Sequence, residues 1–280
     1  MLAIALALAA SMSVGTADFL AGSQARRHGL WTVIIVSQLT GSAWTAAVVL
    51  ARGEPVPPWP APLWSVLAGI TAVFAIWLGY RALQIGVMAI AGPLMALSIV
   101  IPVGFGLSRG ERPSSLQTAG IALALLGVML ASSERTAGRR VAPSKRSVAL
   151  ALAAALFIGI NMVCYAQAAR QDVSWSVFMA RATSTILFAA AYVSLRPRLP
   201  RLTATSLVPL IAIGVFDTGS NALFSLASTK GYLSVVSVLS SIYPVFTAAL
   251  AYIVLEERLA PWQLLGVGSA LAGVGLLAVA

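Results

Sequence analysis

The sequence predicts an all-α membrane protein whose ten transmembrane helices form two inverted five-helix repeats. Three observations carry that reading. Of 280 residues, 59% are hydrophobic and only 9% are charged, against about a quarter charged in soluble domains, and the mean hydropathy is +0.93. The apolar runs reach about 20 residues, the length at which a helix crosses roughly 30 Å of hydrocarbon. One skeleton also occurs twice: Glu111-Arg112, Gln117, Gly120 and Gly127 return as Glu257-Arg258, Gln263, Gly266 and Gly273, always 146 positions on. A constant offset over several identities marks an internal repeat.

Taken in order, apolar runs between Gly, Pro and charged breakers give five spans in the first half, at about 2–23, 31–51, 63–83, 87–108 and 114–132. The second half gives about 147–169, 174–195, 205–227, 232–255 and 260–279. Leu2–Ala10 could pass for the apolar core of a signal peptide. No Lys or Arg precedes it, however, and Gly15, Arg26 and Trp31 match Gly159, Arg170 and Trp175 at a constant offset of 144. It is therefore read as the first membrane helix. Spans five and ten carry stripes of small residues, Gly120, Ala124, Gly127 and Ala131 on one and Gly266, Ala270 and Gly273 on the other. Such stripes let helix backbones approach closely, so these spans read as scaffold. Glu111 and Glu257, in the turns just before them, fit stabilisation of those two helix N-termini. Pro244 lies inside span nine, where it removes a backbone donor and frees a carbonyl one turn earlier.

The expected divisions are 1–132 and 147–280 for the two repeats, with a basic linker at 133–146 that holds Arg135, Arg139, Arg140, Lys145 and Arg146. Five spans is an odd number, so the second copy enters the membrane from the opposite side, the inverted arrangement of many secondary transporters. Loops after odd-numbered spans hold most of the basic residues, which puts them in the cytoplasm and both termini outside, in a bacterial-type inner membrane.

Several classes drop out. The net charge of +10 follows from the loop bias, and no nucleic-acid-binding motif accompanies it. Cys164 and His28 are the only residues of their kinds, which removes disulfide, zinc and triad chemistry. No Walker, Gly-x-Ser-x-Gly or His-Glu-x-x-His pattern occurs, so neither an ATP-driven pump nor an enzyme is expected, and no cofactor or metal. A membrane-embedded enzyme and a non-transporting subunit are the alternatives to a carrier.

The repeated pattern, at Ala82-Leu83 through Gly86, Gly110-Glu111-Arg112, Gln117, Gly120 and Gly127, and again at Gly231, Ser240-Ser241-Ile242-Tyr243-Pro244-Val245, Glu257-Arg258, Gln263, Gly266 and Gly273, resembles the EamA type of the drug/metabolite transporter superfamily. The likeness covers nearly the whole chain. It implies a ten-helix carrier that moves small organic solutes through a central cavity, often outward and often amino acids or related metabolites. In its partners the chain is then expected to be a monomer in the lipid bilayer, with a small-molecule solute.

Candidate site residues are the polar groups inside spans. Ionisable side chains there normally face a cavity or a partner. Asp217 begins a stripe with Asn221 and Ser225 on span eight; it reads as a substrate or proton site, or as a carboxylate held by Arg181. Arg181 reads as a grip for a substrate carboxylate or as a side chain snorkelling to the headgroups. Asp18 faces the cavity or the interface. Asn161 and Tyr165 on span six line a cavity wall or bond between helices. Trp77 and Tyr80 line a pocket or face lipid, and Tyr243 stands beside Pro244. An amino acid would suit the site because its two charges could meet Asp217 and Arg181.

Overall fold

The computed structural model describes residues 1–85, 94–131, 145–197, 202–255 and 260–279. The regular structure of these residues is helical throughout, as it must be where no water is present to satisfy open backbone groups. The helices are α1 (Leu2–His28), α2 (Leu30–Arg52), α3 (Ala61–Ile85), α4 (Val100–Ser108), α5 (Ser115–Ala131), α6 (Lys145–Ala169), α7 (Val173–Leu195), α8 (Ala204–Ser228), α9 (Leu233–Ser240), α10 (Tyr243–Leu255) and α11 (Pro261–Val279). α9 and α10 are two halves of span nine, so the chain makes ten crossings, five in each inverted repeat. The expected start of span four, the linker up to residue 144 and Glu257 lie outside the described residues. Lys145 and Arg146, read from sequence as linker, are the first two residues of α6.

The interruption of span nine falls at Ser241 and Ile242, ahead of Pro244. Pro244 is the second residue of α10, where its missing N–H has no partner to lose. The proline thus starts a helix and does not kink one. Span four is irregular at the corresponding depth: a 3-10 turn, Leu97–Ile99, precedes α4, and 3-10 stretches within helices often mark functional hinges.

Both copies of the repeated glutamine close a helix start. Ser114 Oγ accepts from Gln117 N at 3.1 Å and Gln117 Oε1 accepts from Ser114 N at 3.0 Å, a reciprocal capping box at α5. Gln263 Oε1 accepts from Ala260 N at 2.9 Å at the start of α11. Glu111 is therefore not needed at α5, contrary to the sequence expectation, and it caps another helix. Its carboxylate accepts from Leu233 N at 2.6 Å, Ser234 N at 3.0 Å and Ser234 Oγ at 2.7 Å, holding the N-terminus of α9 in the other repeat. Tyr232, at the N-cap position itself, supplies no side-chain bond.

The packing obeys an exchange of halves. α3 lies along α6, as α1 lies along α8; α2 meets α7, α5 meets α11, and α4 meets α9. Individual contacts repeat the rule. Gly15 of α1 abuts Tyr243 and Phe246, while Gly159 of α6 abuts Ser98 and Ile101. Gly69 of α3 abuts Ala180 and Thr183 of α7, while Gly214 of α8 abuts Ser37 and Thr40 of α2.

α5 and α11 approach backbone to backbone. A Cβ placed on Gly273 would stand 2.8 Å from both Ala124 Cβ and Gly120 O, and one on Gly120 would stand 3.0 Å from Gly273 O. Backbone cannot give way as a flexible side chain can. Gly273→Val is expected to destabilise the protein by about 1–3 kcal/mol, the usual range for overpacking. Gly275→Val, two residues on where a Cβ meets open space, is expected to be neutral. Thermal melting of the two purified variants, followed by the loss of the monodisperse peak, checks the contrast.

One face of the bundle is tied by charge. Arg52 donates to both Glu54 carboxylate oxygens at 2.7 Å, to Asp172 at 3.2 Å and to Ser174 at 2.9 Å. Asp172 also caps α7 through Trp175 N at 2.7 Å, and Trp175 Nε1 donates to the Glu54 carbonyl at 3.2 Å. The hydrogen bond from Arg52 holds the Glu54 carboxyl below its ordinary range. These bonds join the α2–α3 and α6–α7 connections.

Candidate functional site

A cavity of about 150 Å³ lies between the two repeats. α1 contributes Ala10 and Val14, and the irregular start of span four contributes Ser98. α6 contributes Asn161, Met162 and Tyr165, α8 contributes Ser220, Asn221 and Phe224, and the break in span nine contributes Ser240, Ser241 and Tyr243. A cavity of about this size holds a molecule as large as benzene. The break matters locally: eight residues of α9 are all buried, and the helix stops where its last serines reach the cavity.

Four of the nine sequence candidates, Asn161, Tyr165, Asn221 and Tyr243, meet here. Asn161 does both things read for it, since it lines the cavity and its Nδ2 also donates to the Ala68 carbonyl at 2.6 Å and Thr71 Oγ1 at 3.3 Å on α3. Asn221 Nδ2 and Ser220 Oγ both donate to the Asp217 carbonyl, at 3.0 and 2.7 Å, one turn back on α8.

One turn from the cavity, Arg181 and Asp217 pair directly. Arg181 does not snorkel: it is 6% exposed, and its second amino group donates to Gln38 Oε1 at 3.1 Å. Ser184 donates to the same oxygen at 3.2 Å, and Ser42 shares a hydrogen bond of 2.8 Å with Thr185. Gly41 makes room for this network, because a Cβ there would run into Thr218 Oγ1 and lie 3.6 Å from Arg181 Cδ. The two charges expected to receive a zwitterion's complements thus receive each other. This is the structural pairing that the sequence left open.

Asp18 stands apart from that pair. It continues the α1 face of Ala10 and Val14 by one more turn, as Asp217 continues the α8 face of Asn221. As a residue it is exposed, and it lies within electrostatic reach of Asp217 and of Tyr243.

Trp77 lines no described cavity and is 60% exposed, on the side of α3 away from buried Ala75. The side chain of Tyr80 lies outside what the structure describes. A second cavity, of about 90 Å³, lies among Trp44, Thr45, Val48, Val173, Ser174, Val177 and Ala222. Sequence reasoning passed over Gln38, Ser98 and Ser240. Gln38 had a usable signal, a long amide in an apolar span; the serines had none, because small hydroxyls bond to their own helix as readily as to a solute.

Set against known proteins, the model of the EamA-like transporter family matches residues 1–133 and again 145–279. A solved structure, titled only as the crystal structure of a protein, superposes with a TM-score of 0.84 over 99% of this chain and 96% of that one, at 21% identity. That likeness establishes the fold alone. The curated proteins give no match.

Proposed function

The chain belongs to the EamA-like transporter family, and on that premise we propose that it is a secondary transporter carrying amino acids or closely related small metabolites outward by alternating access around the central cavity. The observation that supports this best is the cavity's position. Both repeats build it, at the depth where spans four and nine lose regular helix, and inverted-repeat carriers bind solute at such discontinuities. Its wall mixes apolar Val14, Met162 and Phe224 with Asn161, Asn221, Tyr165 and four serines. That lining suits a solute with a small apolar body and a few polar groups. The basic loops after odd-numbered spans set those loops in the cytoplasm, and the duplicated architecture completes the cavity within one chain, so the working unit is a monomer.

Counterflow of a labelled amino-acid pool into liposomes holding the purified protein tests the reading. Uptake is expected for the wild type and is expected to fall about tenfold or more in Asn221→Phe, which fills the cavity from α8. Equal uptake by that variant places the solute path elsewhere. No uptake of any amino acid by the wild type removes them as the solute class.

A further inference from the structure

The polar groups of the cavity wall differ in what they have left to offer. Ser220 Oγ donates to the Asp217 carbonyl at 2.7 Å, and Ser241 Oγ donates to the Ser237 carbonyl at 2.7 Å. Ser240 Oγ donates to the Ala7 carbonyl at 3.5 Å. Asn161 commits its amide hydrogens to Ala68 and Thr71 of α3, and Asn221 donates to the Asp217 carbonyl of its own helix. What these residues keep free is mostly oxygen lone pairs, so their part of the wall accepts hydrogen bonds. Tyr165 is the opposite case. It is 4% exposed and lines the cavity, yet its hydroxyl has no hydrogen bond among the described residues. A buried tyrosine hydroxyl normally has a partner, and a buried donor left unpaired is destabilising.

The other hydroxyls of the wall say less. Ser98 can turn back to a carbonyl of its own helical turn, and Tyr243 is half-buried and within electrostatic reach of Asp18. A phenol, at the far end of a rigid ring, cannot reach its own backbone. Among the described residues no charged side chain lines the cavity. Arg181, a cation within electrostatic reach of Tyr165, is bonded to Asp217 and Gln38. A solute oxygen entering here therefore meets a neutral donor. We propose that Tyr165 is a specificity-determining residue of the cavity: its O–H donates to a carbonyl or carboxyl oxygen of the solute, while the solute's N–H groups meet the acceptors of Ser220, Ser241 and Asn221. The favoured class is a small molecule with both an acyl oxygen and an amino group, such as an amino acid or its amide. A simple amine of the same size is held less well. This inference rests on the carrier reading above and adds which solute group the protein reads and with which atom.

Two competitors that share an amino group and a side chain and differ by one carboxamide, leucinamide and 3-methylbutylamine, test it against counterflow of the labelled amino-acid pool in liposomes. The wild type is expected to be inhibited at about tenfold lower concentration by leucinamide, the size expected of about one hydrogen bond. In Tyr165→Phe that gap is expected to close, with the melting temperature of the purified variant unchanged because no bond within the protein is lost. A gap that persists in the variant, no gap in the wild type, or a fall in melting temperature overturns the proposal; the last would mean that the hydroxyl has a partner inside the fold. Stabilisation of the purified proteins against heat by the same two compounds reads binding without transport. If no amino acid flows, a wild-type preference for leucinamide in that second readout, lost in Tyr165→Phe, upholds Tyr165 and removes amino acids as the carried class. The absence of any such preference then overturns both.

Discussion

Arg181→Met is expected to lower stability toward the bottom of the range of about 3–5 kcal/mol seen when one partner of a buried ion pair is removed. The lower end applies because the Asp217 side chain is 37% exposed and can recover some hydration. The loss has two parts. Asp217 is left within the bundle with no guanidinium beside it, and Gln38 Oε1 loses one of its donors. Replacing both members of such a pair by apolar residues is often neutral, so Arg181→Met/Asp217→Leu is expected to recover most of the loss. Melting temperatures of the single and double variants check it. A single variant as stable as the wild type, or a double variant no better than the single, refutes the account of Arg181 as a structural cation.

Glu111→Ala is expected to cost about 2–4 kcal/mol. It strips the acceptors from Leu233 N, Ser234 N and Ser234 Oγ at once, and a buried donor left unpaired costs about 1–3 kcal/mol. Little else can take over, since α9 is buried along its length. Hydrogen exchange locates the effect. Amides at the start of α9 are expected to lose protection, whereas those at the start of α5 keep theirs, because Ser114 and Gln117 hold that end. Loss of protection at α5 instead would return Glu111 to the helix that follows it in sequence. Glu111→Gln, which keeps one acceptor oxygen, is expected to fall between the two.

The crossings were legible because each is an apolar run bounded by breakers, and the repeat was legible because five identities share one offset. The role of Gln117 was legible in principle, since Ser-x-x-Gln before an apolar run is a capping box. That of Glu111 was not, because its partners lie 122 and 123 residues away. Pro244 announced an irregularity, but only the backbone tells whether a proline bends a helix or begins one. Arg181 and Asp217 drew attention singly as charges in apolar spans; that α7 and α8 turn them toward each other is a property of packing, which periodicity on one helix cannot report. Asn161 and Asn221 could be placed on faces but not on a cavity until the break at Ser241 opened one between them.

The doubled packing bears on energetics. If each interface has a twin in the other half, swapping the postures of the two halves reproduces the same set of contacts, and the two end states of the proposed alternating cycle would be close to degenerate. Whatever separates them in energy must come from positions where the copies differ. The hydrogen bond between Gln38 and Arg181 is such a position: it joins residues 143 apart, the same spacing that relates Ser37 and Thr40 to Ala180 and Thr183 in the matched glycine contacts. Gln38 and Arg181 are thus twins of one another, an uncharged amide on one copy and a guanidinium on the other. In the proposed alternating cycle this departure from duplication would favour one posture over the other, and exchanging the two residues is expected to shift the balance while leaving the architecture unchanged.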